Sequence, residues 1–280
     1  MCVKIVTDST CDLPKALTDT LEITVLPCHI HFADRSYLDG IDITSKEFYA
    51  KLDHSSLYPT SAAPSLGSFT DSYRSLIENG ASSVLSIHIS SKLASTYNTA
   101  VLAAESVAKS IIRPFDSGQL SLGTGLLVEA AARAAQAGET LEAIVKQITE
   151  LSRRTYAYAT ADTLKYLRRS GRISQIVAGV GTVLQIRPVV HIHLGQVGLE
   201  LARTSRQSMD RLVSILRNLG PLERLAIVHT GVPEKAASLA EQVEKFAPNQ
   251  GIEFSVDVSP AIGVHFGPGA VGFVAVKRKP

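Results

Sequence analysis

Hydroxyl-bearing residues gather at three places where a β-branched run gives way to a helical pattern. These are Thr60-Ser61-Ala62-Ala63-Pro64-Ser65, Ser90-Ser91-Lys92-Leu93-Ala94-Ser95-Thr96-Tyr97 and Asp116-Ser117-Gly118. Any one of them reads most simply as a helix N-cap, because Ser, Thr and Asp satisfy the orphan N–H groups of a first turn. Three on one sheet edge also make a small anion site, since helix N-termini favour negative charge and hydroxyls donate to it. Lys92 is the sole Lys or Arg in the first two stretches. That spare supply of cations suits a carboxylate better than a triphosphate.

Local charge is the second feature. From Leu151 to Arg187 stand Arg153, Arg154, Lys165, Arg168, Arg169, Arg172 and Arg187 against one acid, Asp162, so this segment is +6 and the remainder −4. It reads either as a solvated helical face or as a docking surface for an acidic partner. Two histidine pairs, His29/His31 and His191/His193, would each share a strand face. A zinc site needs three or four ligands, and neither pair has a third at a telling spacing, so they read as ordinary strand histidines with no metal. Gly267-Pro268-Gly269-Ala270-Val271-Gly272 formally matches a dinucleotide fingerprint. It stands too near the end of the sequence for a βαβ unit to follow, and Pro268 removes a donor. Gly123-Thr124-Gly125 lies early in an Ala-rich helix, where close helix packing is the better account. Neither a P-loop pattern nor a G-x-S-x-G elbow occurs.

The elements that must position these residues alternate strand and helix through the first half. Strands are expected at Val3–Thr7, Ile23–Phe32, Ser83–Ile89 and Ile111–Phe115, the last at an end or edge position because of Pro114. Thr44 with Glu47 three residues on is a capping-box signature for a helix over Ser45–Asp53. Such alternation implies an α/β domain with a largely parallel sheet, whose ligands sit outside the carboxyl ends of the strands. After Thr155 the rhythm changes to a mixed sheet, with a hairpin over Val189–Leu194 and Val197–Ala202. The expected architecture is therefore α/β in two domains, residues 1–157 and 158–280.

Composition bounds the rest. The chain has 280 residues, 45% hydrophobic and 19% charged, which excludes a disordered chain. A net charge of +2 argues against a nucleic-acid binder. Three scattered cysteines, Cys2, Cys11 and Cys28, read as reduced thiols of a cytoplasmic protein. The sequence contains no signal peptide and no apolar run of the ~20 residues that span a bilayer.

A resemblance goes further. Val6–Pro14, Pro59–Ser65, Ile89–Tyr97, Phe115–Ser117, Leu164–Ser174 with its Arg168-Arg169-Ser170-Gly171-Arg172 core, and Gly263–Gly269 resemble, in order, the motifs of the DegV family. That likeness implies a non-enzymatic, cofactor-free lipid carrier, the fatty-acid-binding subunit of bacterial fatty acid kinase, serving phospholipid precursor metabolism. One long-chain fatty acid, such as palmitate, stearate or oleate, would lie between the two domains. The resemblance assigns its carboxylate to Thr60, Ser61, Ser95, Thr96 and His265. It assigns docking of the separate ATP-binding kinase subunit to Arg168, Arg169 and Arg172. It also implies a monomer when free, with at most transient membrane-surface contact. Two motifs depart from the family. Leu93-Ala94-Ser95-Thr96-Tyr97 stands where the pattern has Leu-Ser-Gly-Thr-Tyr, and Pro59-Thr60-Ser61-Ala62-Ala63-Pro64 where it has Pro-Thr-Thr-Ser-Gln-Pro. The second keeps a hydroxyl; the first shifts or removes one. An alternative is an acyl-ester or thioester hydrolase using Ser61 or Ser95 with His265, which needs the histidine within hydrogen-bond reach of the hydroxyl.

Overall fold

The computed structural model describes residues 2–32, 35–54, 58–171 and 186–279. Its first sheet is parallel throughout, in the order β2 (Thr24–Leu26), β1 (Val3–Asp8), β6 (Ser83–His88) and β7 (Ile112–Asp116). Pro114 lies in β7 at the sheet's edge, where a missing N–H leaves no ladder bond unmade. A short helix, α1 (Lys15–Thr20), connects β1 to β2. α3 (Leu66–Glu78) and α4 (Thr96–Val107) cover one face, packing Phe69, Tyr73, Ala100 and Ala103 on Val6 and Val84. α5 (Leu122–Gln136) and α6 (Leu141–Arg154) cover the other.

The stretch Ile23–Phe32 is not one strand. Pro27 interrupts it, and its second half, β3 (His29–Phe32), turns into a separate antiparallel sheet. The order there is β4 (Arg35–Leu38), β3 and β5 (Thr60–Ala62). Thr60 and Ser61 are therefore strand residues, and the cap of α3 is Ser65, whose side chain accepts from the Ser68 N–H. The capping box is present as expected at α2 (Ser45–His54). The Thr44 N–H donates to Glu47 Oε2 at 2.9 Å and the Glu47 N–H to Thr44 Oγ1 at 3.2 Å.

The third sheet is mixed, in the order β10 (Gln196–Ala202), β9 (Arg187–His193), β8 (Thr155–Thr160), β13 (Val271–Lys277), β11 (Leu222–His229) and β12 (Phe254–Asp257). The β9–β10 hairpin turns at Leu194 and Gly195, both at positive φ. β8 already pairs at Thr155, with Val276, so a break at 157/158 falls inside a strand. α8 (Ser205–Leu219) and α9 (Pro233–Val243) cover one face of this sheet. The other face packs Ala157, Ile192 and Val274 into the same cluster as Ile144, Ile148 and Leu151 of α6. α5 and α6 are thus a layer shared by the parallel and mixed sheets. Two further helices complete the site, α7 (Lys165–Arg169) and α10 (Pro260–Phe266).

Gly125 of α5 shows how tight this layer is. A Cβ there would stand 2.4 Å from the Cys11 carbonyl oxygen, on the one-turn 3-10 segment Ser9–Cys11 that follows β1. Gly125→Ala is expected to lower stability by about 1–3 kcal/mol, the usual range for overpacking. A urea midpoint equal to wild type would contradict this close approach.

Candidate functional site

α10 is the element on which the site is built. Ser259 precedes it, Pro260 starts it with a pre-set φ, and Gly267 ends it at φ 71°. Gly267 is also needed for space, because a Cβ there would fall within 2.1 Å of the Tyr166 ring on α7. Ala261 and Val264 pack with Phe48, Tyr49 and Leu52 of α2 and Ile30 of β3. Ile262, His265 and Phe266, at i, i+3 and i+4, share another side of the helix, and all three line a cavity of about 310 Å³. A helix late in the chain is thereby embedded among elements from its beginning.

The N-terminus of α10 is held across that junction by two carboxylates. Asp12 Oδ1 accepts from the Ser259 N–H at 2.9 Å, and Asp39 Oδ2 from the Ala261 N–H at 3.3 Å. Asp12 also accepts from Ser121 at the head of α5, and Asp39 from Ser9 at 2.8 Å. The Tyr49 hydroxyl donates to the Val258 carbonyl at 2.9 Å just upstream. Burial pushes the Asp12 carboxyl up to about 7 and Asp39 to about 6, against the hydrogen bonds that pull them down.

The cavity's remaining walls are the loops after the carboxyl ends of β1, β6 and β7, where ligands of open α/β sheets lie. They contribute Thr10, Ile89, the run Leu93–Thr96, and Leu120; Leu167, Val190 and Val197 close it from the C-terminal part. Most of the lining residues are aliphatic, and the polar ones include Thr10, Ser61, Ser95, Thr96 and His265. Ser61 Oγ lies 3.1 Å from His265 Nε2, between residues 204 apart in sequence. Ser95 and Thr96 line the same space, Ser95 exposed and making no side-chain cap bond, Thr96 buried at the start of α4. That helix N-terminus adds a positive partial charge.

The structure therefore brings together Ser61, Ser95, Thr96 and His265. Thr60 is exposed and outside the cavity lining, which takes the next residues of the chain, Ser61, Ala62 and Ala63. Arg168 and Arg169 are exposed on α7, one and two residues from the cavity residue Leu167. The Arg169 guanidinium lies over the Tyr58 ring, 3.6 Å from its centroid. Arg172 lies outside the described residues. Two other cations of the basic segment are paired, Arg154 with Glu223 and Arg187 with Asp162 at 2.7 Å, while Arg153 is exposed on α6. Among the described residues no three His, Cys, Asp or Glu side chains converge as for a metal. His191 and His193 instead pack on Tyr158 and Tyr156. No described helix is long and apolar enough to cross a membrane.

Sequence reasoning missed the wall behind Thr10. Tyr73 donates to Ser86 Oγ at 2.7 Å, Ser86 meets His88 Nε2 at 2.6 Å, and His88 Nδ1 meets Asp8 Oδ2 at 2.8 Å, all essentially inaccessible to solvent. With the tyrosine proton entering Ser86, the chain of donors runs one way, and His88 carries its proton on Nδ1. The other oxygen of Asp8 accepts from the Thr10 N–H and hydroxyl. Thr10, which also lines the cavity, thus turns its hydroxyl proton toward Asp8 and away from that space. The signal available was the spacing Asp8-x-Thr10 at a strand end, a small Asx turn.

Comparison with known proteins follows the same geometry. The model of the DegV family, described as an uncharacterised protein family, matches residues 2–278. The chain belongs to the DegV family. A DegV domain-containing protein of Listeria innocua is 32% identical over 275 residues, covering 96% of both chains. Two solved DegV structures share the fold along nearly the whole length. The Thermus thermophilus protein, described for its fatty acid binding, has a TM-score of 0.89 at 31% identity over 99% of this chain and 100% of its own. DegV of Bacillus subtilis, described as a fatty acid binding protein, has a TM-score of 0.89 at 29% identity with the same coverage.

The carboxylate pair sets a pH dependence. Unfolded, both groups titrate near the ordinary ~3.9; folded, they do so at about 6 and about 7. Between those limits the folded chain holds more protons than the unfolded one, so these groups' contribution to stability is lost as pH rises. The urea midpoint of the Asp12→Asn/Asp39→Asn double variant is expected to fall less than wild type's from about pH 4 to about pH 7. Identical slopes would show that the pair does not titrate there.

Proposed function

We propose that this chain is a cytoplasmic carrier that holds one long-chain fatty acid in the cavity between its parallel-sheet and mixed-sheet parts. It presents the carboxylate to a separate ATP-dependent fatty acid kinase subunit, which makes the acyl phosphate. The observation that carries this reading is the Ser61–His265 contact in the wall of a mostly aliphatic cavity. A cavity of about 310 Å³ is at the lower end of the ~300–1,000 Å³ usual for small-molecule sites. Burying ~14 methylenes of a palmitate-sized chain at ~0.8 kcal/mol each favours binding by roughly 11 kcal/mol gross, reduced by ordering and association costs. A carboxylate cannot enter such a space without donors, and Ser61, Ser95, Thr96 and His265 supply them. Fatty acid binding by the Thermus and Bacillus relatives supports the same reading. α7 links the two tasks, since Leu167 lines the cavity while Arg168 and Arg169 face solvent.

Native mass spectrometry of protein purified from cells should show a bound fatty acid. Protein that arrives empty and fails to take up palmitate or oleate would overturn the reading. Ser61→Ala or His265→Ala should each weaken binding by about 10–100-fold, as expected for one hydrogen bond to a charged group. Arg169→Ala and Arg172→Ala should leave lipid binding intact and slow acyl-phosphate formation with the kinase subunit. The 3.1 Å contact also meets the first requirement of a Ser–His nucleophile. Turnover of a chromogenic acyl ester, abolished by Ser61→Ala, would favour the hydrolase reading instead.

A further inference from the structure

A groove open to solvent lies on the far face of the mixed sheet, between α8 and α9. It measures about 420 Å³ and shares no described residue with the cavity beside His265. Thr160 and Val271, partners in the β8–β13 ladder, form its floor. Thr160 is 6% exposed, and its Oγ1 has no hydrogen-bond partner among the described residues. It shares a face of β8 with Tyr158, which packs in the layer under α8 and α9, so its side chain is aimed at the groove. A buried hydroxyl left unpaired is costly, and an occupant of the groove would supply the partner that the fold does not.

Lys235 stands on the wall, in the first turn of α9, where a cation opposes the helix dipole. What it touches explains the placement. Its Nζ donates to Asp162 Oδ2 at 2.8 Å and to the Gly269 carbonyl at 3.2 Å, which leaves one of its three protons unused. Asp162 is also paired with Arg187 at 2.7 Å, so two cations against one carboxylate leave a net +1. The head of α8, a fifteen-residue helix, brings its positive end with Ser205 and Arg206 to the same groove. Arg206 is exposed, and its approach to Asp210 is long, 3.9 Å.

We propose that this groove is a second ligand site, independent of the fatty-acid site, that binds a phosphate monoester of a small hydroxylated molecule. Lys235, Arg206 and the head of α8 face the phosphate, and Thr160 donates from the floor. Asp162 and Asp210 on the walls limit the charge to one phosphate and disfavour a triphosphate. The space falls in the ~300–1,000 Å³ range of small-molecule sites, more than a bare phosphate fills. Further along α9, Gln242 spends its amide N–H groups on Ser238, so its Oε1 is left to accept from a hydroxyl of the ligand body.

The test follows the thermal midpoint of the full chain in inorganic phosphate, glucose 6-phosphate, glucose and sulfate, at constant ionic strength. Phosphate should raise the midpoint saturably, as any ligand of the folded state does, and glucose alone should not. Glucose 6-phosphate should act at about tenfold lower concentration than phosphate, through added hydrogen bonds to its body. Lys235→Gln and Thr160→Val should each weaken the response by about tenfold or more. Thr160→Val keeps the side chain's shape and should not lower the ligand-free midpoint, which separates a lost ligand contact from a damaged fold. Equal responses to phosphate and glucose 6-phosphate would overturn the monoester and leave a free-phosphate site. A response that sulfate matches, or that both folded variants retain, would show an adventitious ion only and overturn the site.

Discussion

The site depends on the start of one seven-residue helix, α10, being capped from a distance. A helix this short has little stability of its own, because nucleation is costly and its first N–H groups have no partners within it. Asp12 and Asp39 supply those partners from the first forty residues of the chain. The same two carboxylates accept from Ser121 and Ser9, so the head of α5 and the 3-10 turn after β1 are tied to the same point. Removing this clamp would free α10 to move, and with it His265, Ile262 and Phe266. The cost is visible in both carboxyls, whose proton affinity is raised by burial.

Around that fixed helix the cavity follows from ordinary α/β geometry. Strand ends of the parallel sheet provide hydroxyls and small residues, and the mixed sheet provides aliphatic side chains. The buried Asp8–His88–Ser86–Tyr73 chain gives the wall at Thr10 a rigid back. A fully satisfied network of this sort specifies one arrangement, whereas a half-satisfied one would be destabilising. Its effect at the surface of the cavity is to turn the Thr10 hydroxyl toward Asp8. In the stretch Leu93-Ala94-Ser95 all three residues border the cavity.

The basic segment divides in two once folded. Arg154 and Arg187 are neutralised by Glu223 and Asp162 and hold sheet and loop together. Lys165, Arg168 and Arg169 remain exposed on α7, with Lys165 and Arg169 gathered over Tyr58. The exposed cations of α7 thus stand beside the cavity, next to its lining residue Leu167, while Arg153 is exposed on α6.

The amino-acid sequence by itself determined the parallel order of local elements: an end or edge position for Pro114, the capping box at Thr44 and Glu47, the tight hairpin, and close packing at Gly123–Gly125. Each rests on a rule confined to a few neighbouring residues, a missing N–H, a cap, a positive φ or a close helix contact. The order of motifs also pointed to the DegV family and to Ser61 and His265. Only the tertiary structure decided that Pro27 turns Ile23–Phe32 into two strands of different sheets, which makes Ser61 a strand residue and sends Thr60 to the outside. Only it joined Ser61 to His265, Asp12 to Ser259, Asp39 to Ala261 and Asp8 to His88. Those contacts span 80 to 247 residues, and local patterning carries no information about pairs whose meeting depends on how whole sheets pack.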